Sequence, residues 1–306
     1  MTSGTWILVV AHGAARHLEA REILRWWSWE PAVLALLSVT AIVYLGGLVR
    51  LWRSAGRDHG TRWWEVGAFA AGWLALVAAL VSPLDALGAI LFSAHMAQHE
   101  VLMLVAAPLM VLGRPLVPFL WALPRRAREQ AGGWTRRPAV RGTWRRLTGP
   151  LAVFGIHGAA LWVWHLPSLY QATLRSEGVH ALQHLSFFGS AALFWWALLH
   201  GRYGRSGYGL AVLYVFATGV HSGALGALLT FAPRVWYPIY DTTARQWGLS
   251  AIEDQQLAGL IMWVPAGLVF LVIGLALVAA WLREAARRVA HTESEALLQP
   301  EGHHPR

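Results

Sequence analysis

SAHMAQHEVLMLVAAPLMVLGRP, residues 93–115, is apolar enough along most of its length to lie in lipid. A helix of about 20 apolar residues crosses a bilayer core about 30 Å thick. His95 and His99 nevertheless stand four residues apart near the start of the stretch, so both imidazoles lie on one helix face. The stretch therefore predicts a membrane helix that carries a polar site.

The rest of the chain repeats this apolar pattern. Of its 306 residues, 56% are hydrophobic and only 13% are charged, which is far from the composition of a soluble domain. We predict an all-α membrane protein, a seven-transmembrane-helix bundle. Its spans are expected near residues 32–52, 64–81, 84–112, 147–164, 179–200, 208–231 and 256–282. An N-terminal segment, 1–31, would precede the transmembrane domain, 32–282, and residues 283–306 would form a disordered cytoplasmic tail.

The positive charges predict the orientation of the bundle. Arginine supplies all of the Lys+Arg total, and the net charge is +9. Arginines concentrate after predicted spans one, three, five and seven, with nine of them between Arg114 and Arg146. Because cytoplasmic loops carry the excess of positive charge, we expect the N-terminus outside, the C-terminus inside, and the Arg-rich loop 113–146 on the inner lipid surface. No nucleic-acid-binding motif is present, so we expect no nucleic-acid partner.

Histidines gather in the outer half and near the midplane of the predicted bundle. His180 and His184 repeat the spacing of His95 and His99, and such a pair of imidazoles can hold one metal ion. The candidate metal-binding residues are His95, His99, His180, His184, His165, His157, His221 and Met96. The chain has no cysteine, so copper held by histidine is the preferred prediction, and a haem held between two facing histidines is the alternative.

Three acidic residues are candidates for orienting those imidazoles or attracting a cation, namely Asp85, Glu100 and Asp254. Asp85 could equally act as an acid in the first turn of its helix. Glu100 lies in the middle of a span, where a carboxylate needs a partner or a proton. No hydrolase, nucleotide-binding or metalloprotease motif is present, so we expect no enzymatic activity.

Three long stretches occur in an order and at a spacing typical of one family. They are SPLDALGAILFSAHMAQHEVLMLVAAPLMVLGRP, WVWHLPSLYQATLRSEGVHALQHLSFFGSAALFWW and GALLTFAPRVWYPIYDTTARQWGLSAIEDQQLAGLIMWVPAG. They resemble the multi-spanning CtaG family of cytochrome c oxidase assembly factors, associated with caa-type oxidases. The resemblance carries over His95, Met96, His99, His165, His180, His184, Asp254 and Gln255. Glu100 departs from the pattern, because an apolar residue is expected after the second histidine of the first stretch.

The resemblance implies a protein of the bacterial plasma membrane that helps to mature a haem–copper oxidase. Copper would enter from outside past Asp85 and Asp254, rest on the two histidine pairs, and pass to an oxidase subunit by ligand exchange. Three alternatives stay open: a haem chaperone or redox carrier, a copper permease, and a metal-free assembly scaffold. The expected partners are cytochrome c oxidase subunits and the lipid bilayer, and a homodimer is possible.

Overall fold

The computed structural model describes residues 25–56, 60–200 and 207–298. Within these ranges the chain is helical and has no strand, which confirms the all-α prediction. The helices are α1 Pro31–Ala55, α2 Trp63–Leu80, α3 Pro83–Gly88, α4 Phe92–Leu112, α5 Leu116–Ala122, α6 Arg125–Arg136, α7 Pro138–Leu147, α8 Pro150–Trp164, α9 Pro167–Thr173, α10 Glu177–His200, α11 Gly207–Thr230, α12 Asp241–Gln246 and α13 Ala251–Leu298.

Six of the described helices are long and apolar enough to cross a membrane, namely α1, α2, α4, α10, α11 and α13. A seventh crossing exists if α7 and α8 are counted together, and these two helices meet at a bend of 57°. Pro150 has no backbone N–H and begins α8, so it favours a new helix over the continuation of α7. The chain is thus a multi-pass helical protein by the length and composition of its helices, whereas the count of seven spans stays a prediction.

Two segments outside the spans contain more helix than expected. The Arg-rich loop 113–146 holds α5, α6 and α7, and no residue of α6 or α7 is buried. The tail predicted to be disordered from residue 283 is instead helical as far as Leu298, because α13 continues without a break. Extending a helix that has already formed costs little, and Arg288 donates to Glu284 one turn earlier (3.1 Å). Residues 299–306 and 1–24, the rest of the predicted tail and most of the N-terminal segment, lie outside the described residues.

The helix that carries the quoted stretch, α4, is not uniform. Residues Val101–Ala106 form a π-helical turn directly after His99 and Glu100. Pro108 lacks the N–H that a regular α-helix would use at that point, which favours the wider turn. The indole of Trp195 on α10 donates to the carbonyl oxygen of Met103 inside this turn (2.9 Å). This bond satisfies a backbone group that lipid could not, and it ties α4 to α10.

The main buried core lies among α4, α8, α10, α11 and α13. α11 and α13 approach each other most closely where two glycines meet, since a Cβ atom added to Gly259 would lie 2.6 Å from the carbonyl oxygen of Gly226. On the outer surface, large apolar side chains such as Leu36, Phe216 and Val272 are about two-thirds exposed, as expected for residues that face lipid. The fold therefore has a largely apolar core that encloses some buried polar side chains, and an apolar exterior.

Candidate metal centre

The two predicted histidine pairs face each other across the contact between α4 and α10. The ring centroids of His95 and His180 are 5.1 Å apart, and those of His99 and His184 are 5.3 Å apart. One ring nitrogen each from His95, His180 and His184 lies within 4.8 Å of the other two. We call these four residues the histidine quartet. The nitrogens of His95, His180 and His184 are close enough together for a single metal ion to bind all three.

Four of the eight ring nitrogens of the quartet are buried without a hydrogen-bond partner among the described residues. Among the described residues, both nitrogens of His99 and the Nε2 atoms of His180 and His184 are buried and unpartnered. Buried polar groups in folded proteins are normally paired, because an unpaired one costs about 1–3 kcal/mol. Four such nitrogens in one place therefore indicate a site shaped for a ligand.

His95 makes the two hydrogen bonds that fix its ring. Its Nδ1 lies 3.3 Å from the carbonyl oxygen of Gly88, and its Nε2 lies 3.2 Å from the amide oxygen of Gln183. A neutral imidazole has a single N–H, so it can donate to only one of these acceptors. The amide nitrogen of Gln183 is unpartnered, and turning this amide over would let it donate to Nε2. Nδ1–H then donates to Gly88, and the Nε2 lone pair accepts the hydrogen bond from Gln183, which a metal ion at Nε2 would displace.

His165 lies beside the quartet but on the segment that follows α8. Its ring contacts Phe187, the same side chain that packs against His99. Its Nδ1 donates to the carbonyl oxygen of Leu161 (2.6 Å), and its Nε2 is buried without a partner among the described residues. This arrangement sets the tautomer in which Nε2 carries a lone pair, as in metal-binding histidines.

His157 and His221 form a separate pair on α8 and α11. Their ring centroids are 6.3 Å apart, and their other ring contacts are to Phe194 and Phe154 respectively. The structure thus divides the predicted histidines into the quartet with His165 nearby and this second pair. Sequence spacing alone could not separate the two groups.

Asp85 lies at one end of the quartet within an acidic rim, which we define as Glu30, Asp85 and Glu177. Asp85 accepts hydrogen bonds from the Ser28 hydroxyl and from the Gln98 amide (2.8 Å), and it acts electrostatically on His180. Burial raises the pKa of Glu30, and the charges of Glu177 and Asp85 raise it further. Three acidic groups therefore lie close enough to influence one another at this end of the quartet.

The carboxylate of Asp254 bonds the start of α4 rather than a histidine. It accepts hydrogen bonds from the backbone N–H groups of Phe92 (2.7 Å) and Ser93 (3.1 Å) and from the Ser93 hydroxyl. A carboxylate at a helix N-terminus satisfies free N–H groups and interacts favourably with the helix dipole. Asp254 therefore positions the helix that carries His95 and His99. Its neighbour Gln255 bonds the backbone of the segment between α11 and α13.

Two further sequence-predicted residues occupy different surroundings. Met96 is fully buried in the main apolar core, and its position one residue after His95 turns its side chain about 100° away from that histidine. Within the described part of the chain, Oε2 of Glu100 is buried and has no hydrogen-bond partner. Of the two expected ways to satisfy this carboxyl group, a partner or a proton, the described residues supply no partner for Oε2.

Sequence reasoning missed a group of tyrosines next to the quartet, which we call the tyrosine network: Tyr170, Tyr237 and Tyr240. Tyr240 donates to the Gly88 carbonyl (3.0 Å), the same oxygen that His95 contacts, and Tyr170 donates to Tyr240 (2.9 Å). Tyr237 donates to the carbonyl oxygen of His165 (2.7 Å). Burial raises the pKa of both Tyr237 and Tyr240, which keeps them protonated as donors.

The two glutamines that contact this region carried a signal in the sequence. The stretches HMAQH and HALQH each place a glutamine directly before the second histidine, at Gln98 and Gln183. Gln98 bonds Asp85, and Gln183 contacts His95. A repeated residue beside a repeated pair could have identified both glutamines as candidates.

Comparison with known proteins agrees with the motifs. A family model described as cytochrome c oxidase caa3 assembly factor matches residues 42–284. Uncharacterised proteins of Mycobacterium bovis and Mycobacterium tuberculosis are each 31% identical over 287 residues, covering 89% of this chain and 41% of the relative. An uncharacterised protein of Mycobacterium leprae is 27% identical over 284 residues, covering 88% of this chain and 42% of the relative.

The chain spans about two-fifths of the length of these curated relatives. No solved structure matches it. The family match covers all four members of the quartet, His165, the His157–His221 pair and Asp254. It confirms the expected resemblance, and the chain belongs to the cytochrome c oxidase caa3 assembly factor family.

Proposed function

We propose that this protein is a non-enzymatic assembly factor of the bacterial plasma membrane that holds copper on the histidine quartet and passes it to a haem–copper oxidase subunit. The observation that carries the proposal is a cluster of four imidazoles from two helices. Ring nitrogens of His95, His180 and His184 lie within 4.8 Å of one another. His99, His180 and His184 have buried nitrogens without partners among the described residues. Without cysteine, the chain offers copper nitrogen ligands that release it more readily than thiolates do. Ready release suits a donor that must hand over its cargo by ligand exchange.

A seven-span topology would put the quartet near the outer face. We count α1, α2, α4, the bent pair α7–α8, α10, α11 and α13 as spans, with the N-terminus outside. His180 and His184 lie in the first two turns of α10, which would begin at the outer side. The arginines of α6 and α7 would then lie at the inner lipid surface, where one of them, Arg128, stacks on Trp121 (3.8 Å).

Ring spacing favours a metal ion over haem in the quartet. Two imidazoles that bind a haem iron from opposite sides have centroids about 6 Å apart, because each iron–nitrogen bond is about 2 Å long. The cross-helix spacings of His95 with His180 and of His99 with His184 are 5.1 and 5.3 Å. These two spacings suit imidazoles that share one small ion, and the diagonal pair, His95 and His184 at 6.1 Å, has the cross-helix spacing that a haem would match.

Metal analysis of the purified chain tests the proposal. The protein in detergent, loaded with Cu(I) against a competing chelator, should retain copper, and H95A/H99A should lower its affinity at least about tenfold. H200A is the matched control, because His200 lies at the opposite end of α10, stacked on Trp196. A Soret band in place of copper would support the haem alternative, and binding of neither would support the metal-free scaffold.

Delivery needs a second measurement in cells. Deletion of this protein from cells should lower the copper content of the oxidase, and expression of the wild-type protein should restore it. H95A/H99A, present at the wild-type level, should not restore it if the quartet holds the cargo. Full restoration by this variant would contradict copper delivery through the quartet.

A further inference from the structure

The His157–His221 pair lies apart from the quartet and has its own geometry. Ser190, which contacts His157, is six residues beyond His184 on α10, about 9 Å further along that helix. The two rings stand 6.3 Å apart at an angle of 70°. Gly158 lies beside this contact, since a Cβ atom added there would lie 3.7–3.9 Å from Cε1 and Nε2 of His221, an ordinary packing distance. The Nε2 edge of His221 therefore points towards α8, the helix that carries His157.

The hydrogen bonds of Ser190 determine which nitrogen of His157 is free. The Ser190 hydroxyl donates to the carbonyl oxygen of Phe187 (3.2 Å), so it accepts from Nδ1–H of His157 (3.1 Å). The proton then resides on Nδ1, and Nε2 carries a lone pair, as in metal-binding histidines whose second nitrogen is hydrogen-bonded. Both ring nitrogens of His221 are buried and unpartnered among the described residues.

The spacing of the pair matches two imidazoles on one ion. A metal–nitrogen bond is about 2 Å long and a ring nitrogen lies about 1 Å from its centroid, so a linear arrangement separates the centroids by about 6 Å. The observed 6.3 Å is close to this separation, which two imidazoles on a haem iron would share. Two-coordinate, linear binding is typical of Cu(I), whereas Zn²⁺ takes four ligands.

The walls of the site also favour a monovalent ion. Phe154 packs edge-on against His221, and Phe194 stacks on His157. No carboxylate appears among the hydrogen bonds and ring contacts of these two histidines in the described residues. A single positive charge costs less to bury among neutral, apolar groups than a double charge.

We propose that His157 and His221 form a second, two-coordinate Cu(I) site, separate from the quartet, with Ser190 as the residue that positions His157. The proposal rests on the proposed function in that copper is the cargo. It adds a second holding position deeper along α10. A chain with both sites should bind about two copper ions, one at each site.

The test counts copper on the full chain and on matched variants in detergent. Each variant is loaded with Cu(I) against a competing chelator, and bound copper is measured by mass spectrometry. H157L/H221L should bind one copper ion fewer than the wild type, and H95A/H99A/H180A/H184A should keep the one ion that H157L/H221L loses. H200A should bind as the wild type does. X-ray absorption of the copper in the quartet variant should show two nitrogen ligands.

S190A keeps the proposal testable if a histidine variant folds poorly. It removes the acceptor of Nδ1–H and one hydroxyl bond within α10 but no histidine, so the affinity of the second site should fall about 10-fold or more while the quartet keeps its copper. The second site would be overturned if H157L/H221L bound as many copper ions as the wild type. It would also be overturned if the wild type showed a Soret band that this variant lacks. If H95A/H99A/H180A/H184A bound as many copper ions as the wild type while H157L/H221L lost copper, the quartet would be overturned as a copper site and the second site would be supported.

Discussion

The histidine quartet and the tyrosine network are adjacent buried polar regions that differ in whether their polar atoms have hydrogen-bond partners. Both meet at the carbonyl oxygen of Gly88, which His95 contacts on one side and Tyr240 on the other. Each hydroxyl of the tyrosine network has a partner, and so do both oxygens of Asp254 nearby. In the quartet, four nitrogens have none among the described residues. Satisfied groups stabilise the fold, and unsatisfied groups keep their binding capacity for a ligand.

The largest loss of stability is expected where satisfied groups anchor α4. Asp254→Ala removes three hydrogen bonds to one carboxylate and leaves the N–H groups of Phe92 and Ser93 unpaired, so the free energy of unfolding should fall by about 3 kcal/mol. Denaturant unfolding in detergent, followed by tryptophan fluorescence, measures the loss. Asp241→Ala is the control, because that carboxylate is half exposed in a surface pair with Arg245. Equal loss in both variants would contradict the anchoring role.

The quartet should show the reverse behaviour. His99→Leu breaks no hydrogen bond within the described residues, so the free energy of unfolding should change by less than about 1 kcal/mol. Its affinity for Cu(I) should fall at least about tenfold, because a ligand is lost. Both quantities are measured on one preparation. A strongly destabilised variant with unchanged copper would assign His99 to structure and remove the contrast between the two regions.

A smaller effect is expected inside the tyrosine network. Tyr240→Phe takes one donor from the Gly88 carbonyl and the acceptor from Tyr170, which should lower the free energy of unfolding by about 1 kcal/mol. His95 still contacts the same carbonyl, so copper affinity should change little. Tyr208→Phe, at a partly exposed position on α11, is the control. A copper loss as large as that of His99→Leu would show that the two regions act as one.

The smallest effect is expected at the acidic rim. Burial and the charges of Glu177 and Asp85 raise the pKa of Glu30 above 4.5, so its ionisation disfavours the folded state as pH rises through that range. Glu30→Gln should therefore raise the thermal midpoint slightly at pH 7 and have no such effect well below pH 4.5. Equal effects at both pH values would show that Glu30 acts by packing rather than by charge.

Local patterns predicted most of the helices well. The expected spans 179–200 and 208–231 correspond to α10, Glu177–His200, and α11, Gly207–Thr230. The predicted start of the third span was wrong, because α4 begins at Phe92 and not at residue 84. The cause is a carboxylate about 160 residues later in the chain, Asp254, which caps α4 there. A pattern read over a short window cannot include such a partner.

The sequence by itself determined the apolar helices, the absence of thiolate ligands and the shared faces of the i, i+4 histidine pairs, because hydropathy and helical periodicity are local properties. Only the tertiary structure decided that α4 faces α10, that His157 pairs with His221, and that Asp254 serves as a helix cap. Those outcomes depend on which helices pack together and on which polar atoms find partners across the bundle. The quartet and the second pair are therefore products of helix packing, although each histidine is visible in the sequence.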